Sequence, residues 1–334
     1  MVKIGYKASA EQFGPRALLD FSVMAERVGF DAVWISDHFQ PWRHSDGHAP
    51  FSLSWLGALG SLTHRIIMGT SVLTPTLRYQ PAIIAQAFAT LGVLYPGRVI
   101  LGLGTGESLN EVPSGAIWPE QKERTARFRE AITLIKLLWA QERVSFEGKY
   151  YRTRVATIYD RPIDPVPIFI AAAGPFIAKL AGLESDGLIC TSGKSWSLYT
   201  ETLLPNVQAG LDASAGSHRR AFSRMIELKV SYDTDARRAV EDTRYWGALA
   251  LSAEEKITIE DPLEMEKLAD ALPVERAASR WIVSADPDEV VERVAAYVAL
   301  GFDHLAFHAP GPDQLRFLQL FSAEVLPRLR ARFG

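Results

Sequence analysis

The chain has 334 residues, 22% of them charged, and a formal net charge of -3; so even a balance offers no global field for nucleic acid or an anionic membrane, and any anion must be bound locally. A chain of this length buries roughly 75% of its unfolded surface and can build one large core. Cys190 is the only cysteine and sits in an apolar run, so no intramolecular disulfide forms and the thiol is expected in the core.

In chain order, Lys3 leads straight into a β-like run, without the residue order of a signal peptide. No apolar stretch approaches the ~18 residues of a membrane span. A cytoplasmic protein is expected. Eight short apolar, β-branched runs follow one another at 2–7, 32–36, 66–73, 99–103, 167–171, 187–191, 225–232 and 304–308, each trailed by a polar or glycine cluster and then by a helix-period segment. Amphipathic helices are predicted at 16–28, 82–94, 120–139 and 288–300, with Pro15, Pro81, Pro119, Pro175 and Pro287 at first turns. Gly29-Phe30-Asp31 before the second run recurs as Gly301-Phe302-Asp303 before the eighth, where glycine suits a left-handed helix C-cap and phenylalanine packs under the new strand.

Repeated β-loop-α units of this number predict an α/β protein, one (β/α)8 TIM barrel spanning 1–334. Two stretches break the rhythm. Residues 144–158, with Phe146, Tyr150 and Tyr151 around Glu147-Gly148, predict an added hairpin. Residues 236–281 predict an insertion of at least two helices, one of them at 262–271. Loop insertions on a barrel shape access to its site.

Three motifs fail on spacing. Gly102-Leu103-Gly104-Thr105-Gly106-Glu107 lacks the G-x-G-x-x-G interval, and the next clear helix begins more than ten residues later, so a dinucleotide site is not expected. Thr191-Ser192-Gly193-Lys194-Ser195 resembles the tail of a P-loop, but position 188 is Leu188 rather than the required glycine. What survives there is a lysine with hydroxyls at a strand end, suited to a single phosphate. His44 and His48 stand at i and i+4 in a glycine- and proline-rich loop, so no metal is expected.

Barrel chemistry comes from the C-terminal strand ends and the loops after them. Those positions carry Lys7 and Glu11, then Ser36, Asp37, His38 and Trp42, then Thr74 and Thr76, then Glu107 and Asn110, then Ala172, Ala173 and Gly174, then Lys194, and lastly His308. Neighbours on an extended strand point apart, so Asp37 need not orient His38. Histidine and glutamate in one pocket supply the base and acid of a hydride or proton transfer near neutral pH.

The segments Tyr6-Lys7-Ala8-Ser9-Ala10-Glu11-Gln12-Phe13, Ser36-Asp37-His38-Phe39-Gln40-Pro41-Trp42, Gly69-Thr70-Ser71-Val72-Leu73-Thr74-Pro75-Thr76, Gly104-Thr105-Gly106-Glu107, Cys190-Thr191-Ser192-Gly193-Lys194 and Arg280-Trp281-Ile282-Val283 together resemble the deazaflavin-dependent glucose-6-phosphate dehydrogenases. The resemblance covers essentially the whole chain. That group lies within the bacterial luciferase-like superfamily of barrels, which use FMN or coenzyme F420, an 8-hydroxy-5-deazaflavin.

The resemblance implies oxidation of glucose 6-phosphate at C1 to 6-phosphogluconolactone, with hydride transfer to C5 of the deazaflavin. It implies Asp37 near the ring, Ser71-Val72 behind it as a bulge with a non-proline cis peptide, and Thr74, Thr105, Gly106 and Asn110 along it. The phosphate-bearing tail would meet backbone amides at Ala172, Ala173 and Gly174. His38 is implied as base, Glu107 as acid and Trp42 as cover over the reacting face, although the two proton-transfer roles can be exchanged. Lys194, Lys256 and Arg280, with Thr191 beside them, would bind the substrate and its 6-phosphate. A homodimer is implied. Two departures stand out: Ala173 replaces a glycine of relatives, and Ile257 follows Lys256 where a histidine can occur.

Rival readings are a luciferase-like F420- or FMN-dependent oxidoreductase of another sugar phosphate or an alcohol, a barrel lyase or aldolase with Lys194 as Schiff-base nucleophile, and a non-catalytic binding protein.

Overall fold

Eleven strands appear in the computed structural model, which describes residues 1–214, 221–256 and 259–334. They are β1 Lys3–Ala8, β2 Ala32–Ile35, β3 Ile67–Thr70, β4 Val99–Leu103, β5 Val144–Glu147, β6 Arg152–Ala156, β7 Ile168–Ala171, β8 Gly187–Thr191, β9 Ser223–Tyr232, β10 Ile282–Ser284 and β11 His304–His308. Eight of them close a parallel barrel in the order β1-β2-β3-β4-β7-β8-β9-β11, with β11 returning to β1. These are the eight runs anticipated from periodicity. The expected hairpin is β5 with β6, paired antiparallel.

Alternation along each strand sorts the side chains. One face of the strands sends Trp34, Ile100, Phe169, Ile189 and Met225 into the barrel interior, where they pack together. The other face, with Ile4, Tyr6, Val33, Ile35, Leu101, Leu188, Ile226 and Leu228, joins the larger core under the helices. The Cys190 thiol is buried, and burial pushes its pKa up.

The repeated Gly-Phe-Asp junction has a physical reason. Gly29 and Gly301 take φ of 105° and 89°, the left-handed turn that ends each helix. Phe30 and Phe302 are buried. The aspartates then cap the neighbouring strand: Asp31 accepts from the Ile4 amide at 2.7 Å and Asp303 from the Arg224 amide at 2.7 Å.

Helices Pro15–Arg27, Pro81–Leu94, Pro175–Glu184 and Pro287–Ala299 all begin on proline, as expected. Pro119 is a correction. Glu120 is still extended, with ψ 152°, so helix Gln121–Ala140 starts only after it and Pro119 lies outside the first turn.

The 236–281 insertion holds more helix than anticipated, at Ala236–Glu241, Asp242–Ala250, Ala253–Lys256, Pro262–Asp270 and Val274–Ala278. It has its own small core of Ala248, Leu251, Ile259, Met265 and Ala269, against which Trp42 packs. Beyond it, β10 pairs with the C-terminal end of β9, Ile282 opposite Val230. Three residues are too few to display a period, so this strand was not anticipated. Ile257 lies outside the described residues. Among the described residues no helix is long and apolar enough to cross a membrane.

Candidate active site at the C-terminal barrel mouth

A cavity of about 930 Å3 opens at the strand ends. Asp37, His38, Ser71, Val72, Thr74, Thr105, Gly106, Glu107, Asn110, Ala172, Ala173, Gly174 and Thr191 all line it. Trp42, Lys194, Lys256 and Arg280 do not line it; Lys256, in the insertion, lies over Trp42, and it and Arg280 are near enough to Lys194 to repel its charge. The Ser71-Val72 peptide is cis, as the resemblance implied.

His38 is held from three directions. Nε2 lies 3.2 Å from Oε1 of Glu11, while Nδ1 lies 3.1 Å from the Gln40 carbonyl and 3.2 Å from the Asn110 amide. Glu11 is itself fixed by the Ser36 hydroxyl at 2.6 Å. Burial pushes the Glu11 carboxyl up, but His38, Lys7 and the Ser36 hydrogen bond outweigh it and hold the pKa below the ordinary carboxylate value. A protonated His38 ring therefore finds an acceptor for each N–H, a carboxylate at one nitrogen and a carbonyl at the other. Trp42 packs tilted against this ring, centroids 5.8 Å apart, and Lys256 sits over the indole at 5.2 Å.

Glu107 has the opposite character. Burial raises its pKa, with Glu11 adding to the effect and His38 and Lys256 opposing it. The cavity is thus lined by a histidine and a carboxyl group biased toward its protonated form, with an ionised carboxylate behind the histidine.

Three expectations change in detail. Asp37 lines the cavity, but its carboxylate is committed to Arg78 and Ser52, each at 2.6 Å, and to Tyr79 at 3.2 Å. The Oδ1 atom of Asn110 accepts from the amides of Phe39 at 2.8 Å and Gln40 at 3.2 Å, so this side chain holds the His38 loop besides facing the cavity. The amide of Ala172 is bonded to the Ile189 carbonyl at 3.0 Å, because β7 is still pairing with β8 there, and is not free for a phosphate. The amides of Ala173 and Gly174 make no such bond. Beyond them, Gly174 caps helix Pro175–Glu184, whose first-turn residues Phe176 and Ile177 also face the cavity. A helix N-terminus open to a cavity suits an anionic tail.

Lys194, Lys256 and Arg280 form a cation cluster. Burial first, then Arg280 and Lys256, lowers the pKa of Lys194; burial and Arg280 lower that of Lys256, against the pull of Glu107. Arg280 is lowered by burial, and its Nε is buried without a partner. Gly193 makes the approach of the Lys194 loop possible, since it has φ 72° and a Cβ there would meet the Arg280 carbonyl at 2.4 Å. Among the described residues none of the three cations has a carboxylate within ion-pair distance. A Schiff-base lysine needs a depressed pKa, and Lys194 has one. Its neighbours are cations rather than an apolar wall, however, which is the arrangement of an anion site.

A polar network adjoins the cavity, of which the sequence pointed to Lys7, Thr191 and His308 but not to Glu227, which lines the cavity, or Lys229. Lys7 donates to the Ser71 carbonyl at 2.6 Å and pairs with Glu227 at 3.3 Å; Glu227 reaches His308 at 3.2 Å. Lys229 donates to Thr191 Oγ1 and, at 3.2 Å, to the Ser192 carbonyl. The signal was present in β9, where Met225, Glu227, Lys229 and Ser231 alternate with Ile226, Leu228, Val230 and Tyr232. Charges on the inward phase of an apolar strand mark a polar interior.

The donor set fits a deazaflavin with an anionic tail beside a phosphorylated substrate: a cavity of about 930 Å3 with a helix N-terminus in its lining, and a cluster of three cations outside that lining. Comparison with known proteins agrees. Residues 2–304 match the family model described as luciferase-like monooxygenase. The F420-dependent glucose-6-phosphate dehydrogenase of Nakamurella multipartita is 63% identical over 333 residues, covering 100% of this chain and 98% of its own. That of Mycolicibacterium smegmatis is 58% identical over 331 residues, covering 98% of each. A solved F420-dependent secondary alcohol dehydrogenase, in complex with an F420-acetone adduct, superposes with a TM-score of 0.92 at 32% identity, over 98% of this chain and 99% of that one. The chain belongs to the luciferase-like monooxygenase family, in the branch formed by the F420-dependent glucose-6-phosphate dehydrogenases.

Proposed function

We propose that this protein oxidises glucose 6-phosphate at C1 to 6-phosphogluconolactone, using coenzyme F420. The observation that carries the reading is the cluster of Lys194, Lys256 and Arg280, none of which has a carboxylate within ion-pair distance among the described residues, next to an acid-base pair formed by His38 and Glu107. A phosphate dianion satisfies such a cluster, and a sugar phosphate held there presents its other end to the reacting groups.

When bound, the deazaflavin supplies the hydride acceptor. Asp37, Ser71, Val72, Thr74, Thr105, Gly106 and Asn110 would hold its ring region, and the amides of Ala173 and Gly174, with the helix N-terminus after them, its anionic tail. His38 takes the proton of the C1 hydroxyl as the C–H bond breaks. The resulting imidazolium is stabilised by Glu11 at Nε2 and the Gln40 carbonyl at Nδ1. Glu107, whose pKa burial raises, is the acid. The raised pKa of Glu107 supports the order with histidine as base. Trp42, backed by the core of the insertion, excludes water from the reacting face.

The second reading is an F420-dependent alcohol oxidoreductase, favoured by the likeness to the secondary alcohol dehydrogenase. An alcohol brings no anion to Lys194, Lys256 and Arg280, which supports the sugar phosphate instead. Turnover of glucose 6-phosphate, glucose and 2-propanol at equal concentration separates the two. The proposal requires glucose 6-phosphate to be preferred strongly over both, and preference for 2-propanol refutes it. The reading includes a cytoplasmic homodimer, which light scattering of the purified protein tests for oligomeric state.

A further inference from the structure

Lys229 is used by none of the roles above, yet it is an ammonium group buried inside a barrel, 4% exposed. It projects from β9 and has two acceptors: Thr191 Oγ1, and the Ser192 carbonyl at 3.2 Å. The backbone supports this placement, since the Lys229 amide donates to Ser192 Oγ at 2.9 Å and the Ser192 amide to the Glu227 carbonyl at 2.8 Å. Thr191 lines the cavity, which Lys229 does not.

We propose that Lys229 is a positioning residue for the sugar phosphate, acting through Thr191: its ammonium occupies the acceptor side of the Thr191 hydroxyl and thereby directs the hydroxyl hydrogen to the substrate. A hydroxyl carries one hydrogen and two lone pairs. An ammonium has only donors, so it can bond to Thr191 only by using a lone pair of Oγ1. The hydroxyl hydrogen is then free, its one acceptor among the described residues being the Ser192 carbonyl at 3.5 Å, the limit of a hydrogen bond. A neutral amine reverses the bond. It accepts the Thr191 hydrogen, and the cavity faces an oxygen that repels phosphate.

The protonation of Lys229 therefore gates substrate binding. Burial pushes its pKa down to about 8; Glu227 opposes that, while Arg280, Lys194 and Lys7 add to it. Other groups facing this corner are Cys190 on β8, whose thiol burial keeps protonated, and His308 on β11, which is bonded to Glu227. The ammonium form is the one that binds, so KM is low below this pKa and rises as pH passes about 8. A phosphate dianion nearby stabilises the ammonium in turn, so binding above that pH takes up a proton.

The inference rests on the glucose 6-phosphate reading, and steady-state kinetics of the F420-loaded enzyme tests the two separately. Lys229→Met should raise KM for glucose 6-phosphate on the order of 10-fold, with kcat within about 2-fold and F420 affinity unchanged. Thr191→Val should do the same, and the double variant should be no worse than either, because both remove one interaction. Lys229→Arg, which keeps its charge, should recover part of the loss and flatten the alkaline rise in KM. If Lys229→Met does not fold, the pH profile of the unaltered enzyme decides, since a KM flat through pH 8 contradicts the gating. Additive losses in the double variant, or a loss confined to kcat, also overturn it. Should the unaltered enzyme oxidise glucose 6-phosphate and Lys229→Met match it, this inference alone falls; should the unaltered enzyme not oxidise it, the functional reading falls and takes the inference with it.

Discussion

Oε1 of Glu11 lies 3.2 Å from Nε2 of His38, joining the loop after the first barrel strand to the loop after the second. This contact fixes the orientation of the imidazole ring and sets a carboxylate beside it, so that a positive charge developing on the ring in the transition state has a partner. Glu11→Gln keeps the shape and removes the charge. The expected result is a fall in kcat on the order of 100-fold, with F420 affinity retained, and partial recovery in Glu11→Asp. Stopped-flow bleaching of the cofactor in single turnovers, alongside a fluorescence binding titration, checks it.

The carboxyl group of Glu107 predicts a pH dependence. Its pKa is raised, chiefly by burial, so the protonated form persists above the ordinary carboxylate range. An acid works only while it holds its proton; kcat should therefore fall as pH rises through that raised pKa. Glu107→Gln cannot give a proton. A loss of kcat of about 100-fold or more, together with disappearance of this limb from the pH–rate profile, is expected. A variant with an unchanged profile would remove Glu107 from the chemistry.

For the cation cluster the expected signature lies in substrate affinity. Lys194→Ala or Arg280→Ala should cost roughly 1.5–3 kcal/mol in kcat/KM, mostly through KM. The same changes should leave weak turnover of unphosphorylated glucose nearly untouched. Parallel kinetics on the two sugars reads the difference directly.

Stability depends on a different group. Arg78 bonds to Asp37 at 2.6 Å and to Glu111 at 3.3 Å, and all three side chains are buried. Removing the guanidinium leaves two buried carboxylates facing each other. Arg78→Ala is expected to destabilise the fold by about 3–5 kcal/mol. Urea unfolding followed by circular dichroism measures it, and a midpoint equal to the parent's would contradict the prediction.

The barrel was legible because its strands are continuous apolar runs and its helices carry a period, so each announces itself locally. Gly29-Phe30-Asp31 and Gly301-Phe302-Asp303 even advertised the repeating unit. What stayed hidden was pairwise. Nothing local reveals that Glu11 meets His38, that Asn110 holds the loop of Phe39 and Gln40, or that Asp37 turns to Arg78, since these contacts join loops from different strands. The Ala172 amide appeared free because the exact end of β7 is not written in its composition. Glu227 and Lys229 could have been found, as charges in phase with the inward face of β9, but a strand-end search looks past the middle of a strand.

The most direct test of the account is a two-step titration. Purified protein is mixed with oxidised coenzyme F420, its fluorescence is followed, and glucose 6-phosphate is then added while the absorbance of the deazaflavin is recorded. The account predicts quenching on the first addition and loss of the absorbance on the second, with no comparable loss when glucose replaces its phosphate. Absence of quenching, or an absorbance that glucose 6-phosphate leaves unchanged, would contradict it.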